Sequence, residues 1–425
     1  MSSSTDTTTY DASLDYARAC DSNDPLAAYR DEYHLPVDDD GAPLIYFTGN
    51  SLGLQPKGAA AMIEGELRDW QRYAVDGHFD ATYPWFDYHE MFAEPVARVV
   101  GALPIEVVTM NTLTTNLHLM MVSFYRPTRE RFKIVIEENA FPSDRYAVAS
   151  QARFHGYDPE SAIVELTPRD GETWLRTEDI EEYLEREGES VALVMLGGVN
   201  YYSGQAFDMA RITAAGHAKG CVVGFDLAHA AGNLRLRLHD WDVDFAVWCT
   251  YKYLNSGPGG VSGCFVHERH AFDPELPRFA GWWGNDPGTR FTMPRDFTPQ
   301  RGAAGWQLSN AQIFPMAIHW AALQLFDRAG MDPLREKSEK LTGYLEYLLE
   351  GRDGFRVLTP SDPAQRGCQL SIRIPEDAKS VVDTLRARGI VADYRYPDVI
   401  RVAPVPMYNT FEEAWRFAEV LGEVV

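Results

Sequence analysis

The residues best suited to covalent chemistry lie in Trp248–Gly260, "WCTYKYLNSGPGG". Lys252 sits there in an apolar and aromatic run, just before a Gly/Pro-rich turn. Most lysines lay their stem on apolar surface and carry the ammonium out to water. Only seven of the 39 basic residues are lysines, so one placed beside Tyr251, Tyr253 and Gly257 is unlike surface filler. A dry setting favours a neutral amine, which condenses with an aldehyde. Asp226 ends the run "CVVGFD", and His229 follows three residues on. A buried carboxylate can hold a pyridinium nitrogen protonated and so turn the ring into an electron sink. Acid and amine together are what pyridoxal phosphate needs. Taken singly, the acid reads as a turn residue or helix cap, and the histidine as a hydrogen-bonded core residue.

The phosphate needs donors. "MNTLTTN" (110–116) puts Thr112, Thr114 and Thr115 at a strand-to-helix junction, where free N–H groups and the helix dipole favour an anion. "NAFPSD" (139–144) opens the next helix and offers Phe141 as a flat face, with Ser143 and Asp144 as polar groups. Capping alone explains either motif by itself.

Something must hold these groups together. From about residue 105 to 266, short apolar runs alternate with amphipathic ones: "EVVTM", "FKIVIE", "AIVEL", "VALVMLGGV", "CVVGFD", "VDFAVWCTY" and "GVSGCFVHE" read as strands. Such runs, interleaved with helices, predict an α/β fold with a large, mostly parallel sheet covered on both faces. Ligands then bind beyond the carboxyl ends of the strands, where Asp226, His229 and Lys252 fall. Residues 277–305 show no period and read as a long functional loop. "WQLSNAQIFPMAIHWAALQLFDRAG" (306–330) predicts one long helix despite Pro315, and a smaller α+β unit follows. The expected division is an N-terminal segment (1–55) packing on the small unit, a large domain (56–315) and a small C-terminal domain (316–425).

Composition narrows the function. A formal net charge of −23 argues against nucleic-acid or anionic-membrane partners. An acidic, lysine-poor surface suits a salt-rich cytoplasm, where screening relieves self-repulsion. The five cysteines are far apart and lack zinc-site spacing, so they read as reduced thiols. The N-terminal residues have neither the basic start nor the apolar core of a secretory signal. A cytoplasmic location is expected. No GxGxxG follows a strand, so a nicotinamide dehydrogenase lacks its fingerprint here.

Taken together, "YFTGNSLGLQPK", "MNTLTTNLHLMMVSFY", "NAFPSDRYA", "GFDLAHAAGN", "HDWDVDFAVWCTYKYLNSGPGG", "GWWG", "RGCQLSI" and "IRVAPVPMYN" resemble the kynureninase family over nearly the whole chain. The resemblance implies a fold-type-I pyridoxal-phosphate enzyme of the class V aminotransferase-like group, with a seven-stranded-type sheet. It implies a homodimer with shared active sites and a small amino-acid substrate. The implied reaction is hydrolysis of kynurenine or 3-hydroxykynurenine to the anthranilate and alanine. Lys252, Tyr251 and Asp226 then take the catalytic positions. Leu113, Thr114, Phe141, Ser143, Asp144 and His229 match cofactor contacts, and Trp282 and Asn310 match contacts supplied by the partner subunit. Arg401 matches the grip on the substrate carboxylate, assisted by Asn50. His78, Ser309 and Asn310 fall near the substrate ring, and their polarity leans toward 3-hydroxykynurenine. Gly197 stands where some members have a serine, so one hydroxyl contact is missing. The implied alternative is another class V enzyme, an aminotransferase or a cysteine desulfurase. A desulfurase needs an exposed cysteine on a mobile loop, which residues 277–305 do not supply.

Overall fold

Seven apolar runs become the strands of one sheet in the computed structural model, which describes residues 10–425. They are β1 (Val107–Met110), β2 (Lys133–Glu137), β3 (Ile163–Leu166), β4 (Val191–Gly197), β5 (Val222–Asp226), β6 (Phe245–Cys249) and β7 (Ser262–Val266). Their spatial order is β1-β7-β6-β5-β4-β2-β3. Strand β7 runs antiparallel to both its neighbours, and all the other pairs are parallel. The strands carry apolar residues on both faces because both faces are covered. Val194 and Leu196 of β4 join one apolar cluster, while Leu193 and Met195 join the other.

The C-terminal unit has its own core around a four-stranded antiparallel sheet. Its strands are β8 (Arg356–Val357), β9 (Leu370–Arg373), β10 (Asp393–Arg395) and β11 (Val399–Val402), in the order β8-β9-β11-β10. The N-terminal segment attaches here. Ile45–Tyr46 pairs in parallel with Ile390–Val391. The Asp21 carboxylate accepts the N–H groups of Phe411 and Glu412 at 2.7 and 2.9 Å, capping the helix Phe411–Val424. The first nine residues of the expected N-terminal segment lie outside the described residues.

One expected element needs correction. The helix predicted over 306–330 spans only Ile313–Ala329. Pro315 falls in its first turn, where a missing N–H costs nothing. Trp306 is instead buried, and its Nε1 donates to Ser123 Oγ at 2.9 Å, so tertiary packing overrides the helical pattern. Ile390–Val391 and β10, close in the chain, pair with different partners. No helix among the described residues is long and apolar enough to cross a membrane.

Candidate active site

Asp226 is the last residue of β5, in register with Gly197 of β4 and Val247 of β6. Its carboxylate accepts the Ala228 N–H at 2.7 Å. Lys252 lies in the turn after β6. The Thr250 hydroxyl ties that turn to the Ser256 hydroxyl and the Val261 carbonyl. Asn255 takes a left-handed φ of 55°, and its Nδ2 donates to the Tyr253 carbonyl at 3.0 Å. Gly53, from "GNSLG", packs directly on the turn and donates its N–H to the Tyr251 carbonyl at 2.8 Å. A Cβ there would come within 2.3 Å of the Lys252 carbonyl oxygen, a closeness only glycine permits.

Lys252 Nζ lies 3.1 Å from His229 Nε2 and 5.8 Å from the centre of the Phe141 ring. Burial, reinforced by the Lys252 charge, holds the His229 imidazole well below its usual range. A neutral imidazole can accept from the lysine amine. Phe141 is 46% exposed, and its ring meets Tyr201 edge-on at 5.2 Å. It precedes the helix Pro142–Phe154, which opens on a proline. Thr114 Oγ1 and Ser143 Oγ are 2.8 Å apart, bridging the first turns of that helix and of Leu113–Phe124. Neither helix start is capped by a side chain. Two helix N-termini therefore present their dipoles at one place, which suits an anion.

These groups share a cleft with about 540 Å³ of empty space, its mouth included. Nine residues singled out from the sequence line it: Leu113, Thr114, Phe141, Ser143, Asp144, Asp226, His229, Tyr251 and Lys252. Burial raises the Asp226 carboxyl, against the pull of the Ala228 N–H and Lys252. Burial and the Asp226 charge push Asp144 well above the carboxylate range. Burial, with Cys249 beside it, raises the Tyr251 phenol and keeps it protonated.

Sequence reasoning missed one ionisable lining residue. Glu137 ends β2, and burial pushes its carboxyl up to about 7. The available signal was an acid closing the otherwise apolar "KIVIE", just before "NAFPSD".

Other expected residues lie elsewhere. Arg401 is buried behind Tyr201. It donates to the Tyr201 carbonyl at 2.8 Å and to Ser51 Oγ at 3.1 Å, and it pairs with Asp393. Asn50 is fully buried and donates to Gln369 Oε1 at 2.9 Å, which leaves its own Oδ1 without a partner. His78, Trp282, Ser309 and Asn310 do not line this cleft within one chain. His78 Nδ1 is 3.0 Å from the Val75 carbonyl, and its ring meets Trp85 edge-on. Trp282 is 42% exposed, and its Nε1 donates to the Arg290 carbonyl at 3.3 Å. Ser309 and Asn310 are exposed in the segment leading to Ile313.

The cleft offers an amine, a carboxyl group at the next strand tip, a flat aromatic face and an anion-favouring end. Two buried atoms of its lining residues, Asp144 Oδ1 and His229 Nδ1, have no partner among the described residues. That donor and acceptor set fits pyridoxal phosphate.

A family profile described as the kynureninase C-terminal domain matches residues 334–421. A kynureninase from Myxococcus xanthus is 59% identical over 414 residues, covering 97% of each chain. One from Nematostella vectensis is 49% identical, covering 96% of this chain and 93% of that protein. Among solved structures, the cystine C–S lyase C-DES in complex with cysteine persulfide superposes with a TM-score of 0.76 at 18% identity, over 90% of this chain and 98% of that one. A cysteine desulfurase from Escherichia coli gives 0.74 at 18% identity, over 94% and 99%. At that identity the structural likeness speaks for the fold alone.

Proposed function

The chain belongs to the kynureninase family, and from that premise we propose that this cleft binds pyridoxal 5'-phosphate and hydrolyses the Cβ–Cγ bond of kynurenines, releasing an anthranilate and L-alanine. The observation that carries the reading is one cleft holding Lys252, Asp226 and Phe141 beside two open helix N-termini. Lys252 would hold the cofactor aldehyde, Asp226 the ring nitrogen and Phe141 the ring face. Leu113, Thr114, Ser143 and Asp144 would surround the phosphate end. When bound, the cofactor supplies an electron-poor ring that stabilises negative charge on the carbons next to it.

The chain's own residues then move protons. Lys252 Nζ serves as the base at the substrate α-carbon, oriented by its contact with His229 Nε2. Tyr251 keeps a protonated phenol in the same cleft, so it can give a proton to the substrate carbonyl side and take one from attacking water. Arg401, with Asn50, is assigned to the substrate carboxylate. Its buried Nε has no partner among the described residues, which leaves a donor to offer.

We assign His78, Trp282, Ser309 and Asn310 to the cleft of a second copy. Phe79, Phe86, Phe291 and Trp282 form a continuous chain of ring contacts, and Phe79, Phe291 and Trp282 are substantially exposed. Exposed apolar surface of this kind marks a contact surface, here that of a homodimer. The polar set His78, Ser309 and Asn310 can hydrogen-bond a ring hydroxyl, so 3-hydroxykynurenine is the favoured substrate. Its kcat/KM is expected to exceed that of kynurenine, and equal or reversed values would reject the preference. The divisions at about residues 55 and 315 are read as domain boundaries, and the five free thiols fit a reducing cytoplasm. A desulfurase would need an accessible thiol, and four of the five cysteines are buried.

The direct experiment is an absorbance spectrum of purified protein with pyridoxal phosphate, followed by 3-hydroxykynurenine and an assay for alanine. A bound-cofactor band together with stoichiometric alanine is expected. Bound cofactor without alanine would reject the reaction.

A further inference from the structure

Three carboxyl groups crowd one end of the cleft. Asp226 closes β5, Asp144 lies against it from the helix Pro142–Phe154, and Glu137 closes β2. Between Glu137 and Asp226 stands only the tip of β4: Gly197 donates its N–H to both Glu137 oxygens at 3.3 Å and sits in register with Asp226. Among the described residues, the one cationic side chain lining the cleft is Lys252. Three buried carboxyl groups crowded beside a single lysine cannot all stay ionised, so such a group shares protons.

The local bonds decide which group keeps its charge. Asp226 accepts a short N–H bond at 2.7 Å and feels Lys252. A protonated Asp144 beside it can donate to it. Glu137 has its own backbone N–H and the long, divided contact with the Gly197 N–H, with no cation among its partners, so its anion is poorly supported. The other titratable groups near it are Tyr251 and His229, which line the cleft, and Tyr202, which lines a smaller cavity on the other side of Glu137. Glu138 follows it in the chain, and on β3 Glu165 is engaged by Arg145. None of these supplies Glu137 with a positive partner.

We propose that Glu137 is a positioning residue of this pocket: it stands in the cleft as a neutral acid, so that Asp226 alone carries the charge that faces the ring nitrogen. This rests on the cofactor reading above. Burial raises the folded-state carboxyl to about 7, against an unfolded value of about 4.3. Its contribution to stability is therefore complete below the unfolded value and is lost as pH rises toward the folded one.

The test compares wild type with Glu137→Gln, which mimics the neutral acid. Without cofactor, the variant should gain on wild type by a few degrees of melting temperature between about pH 5 and about pH 7, then hold that lead. With pyridoxal phosphate at about pH 6.5, its Kd should stay within about threefold of wild type. A gap that is constant with pH, or that opens in favour of wild type, would overturn the proposal. So would a Kd weakened more than about tenfold, the mark of a required anion. If the variant does not fold, carbon-13 titration of the glutamate carboxyls in wild type and Glu137→Asp decides. A carboxyl titrating near neutral pH and lost in the variant supports the proposal, and no glutamate titrating above about pH 6 overturns it. If wild type takes up no pyridoxal phosphate, the cofactor reading fails on its own, while the melting comparison still reports on the Glu137 proton.

Discussion

Lys252 and Tyr251 are adjacent in the chain and line the same cleft, yet their removal should have different consequences. Lys252→Ala removes the group expected to hold the cofactor aldehyde and to serve as base. Turnover and the absorbance of the imine at this lysine should both disappear, and an active, yellow variant would sink the assignment. Tyr251→Phe keeps the ring and deletes only the hydroxyl. It should still bind cofactor, with kcat lowered about 10²–10⁴-fold, the usual worth of a positioned proton donor. A full-rate Tyr251→Phe enzyme would move the proton transfer to another group. His229 is held neutral by burial and by Lys252, so it is a partner for the amine and not a second acid.

Elements, not single residues, bring these groups together, and the N-terminal segment is one of them. It reaches the site through Gly53 and is anchored at the far side by a buried ion pair. Asp24 and Lys337 lie 2.7 Å apart, 5% and 6% exposed, and Lys337 also donates to the Pro406 carbonyl at 2.7 Å. Burial lowers the Lys337 ammonium despite the pull of Asp24. Removing one partner leaves an uncompensated buried charge, so Asp24→Ala should cost about 3–5 kcal/mol in urea unfolding. Asp24→Ala with Lys337→Met should cost clearly less, and equal losses would show that the pair is not coupled. The sequence displayed much of this architecture. Fully buried strands read as unbroken apolar runs, and the acid and lysine fell at their ends because ligands bind there. The Pro142 helix start and the glycine-rich turn after Lys252 were local signals. Long-range contacts left no such trace. The acid closing "KIVIE" marks a strand end without saying which neighbours it meets, nothing near Trp306 says that packing ends the helical pattern, and Arg401 gives no sign of its pairing with Asp393.

At the scale of the molecule, charge is arranged with the strand direction. The cleft-lining groups gather at the carboxyl ends of β2, β4, β5 and β6. Beyond the opposite ends lies a tight ionic cluster. Asp244, just before β6, meets His217 at 2.9 Å and both Arg269 and His270 at 2.6 Å; burial alone would raise its carboxyl, and these partners bring it below the usual range instead. Glu106, just before β1, accepts from His239 at 2.9 Å and from the Glu268 N–H at 2.8 Å. Such compact, partly buried networks respond weakly to salt, because mobile ions do not reach between the partners. The rest of the surface behaves differently. With 62 acidic against 39 basic residues, long-range repulsion outweighs attraction across the exposed shell. Raising ionic strength shortens the screening length from about 10 Å at 0.1 M to about 3 Å at 1 M, which removes that repulsion while sparing the buried pairs. The unfolding midpoint should therefore climb steadily from low to molar KCl. If exposed ion pairs outweighed the net repulsion, the midpoint would fall instead, and a flat or falling curve measured by thermal melting would refute this balance of charges.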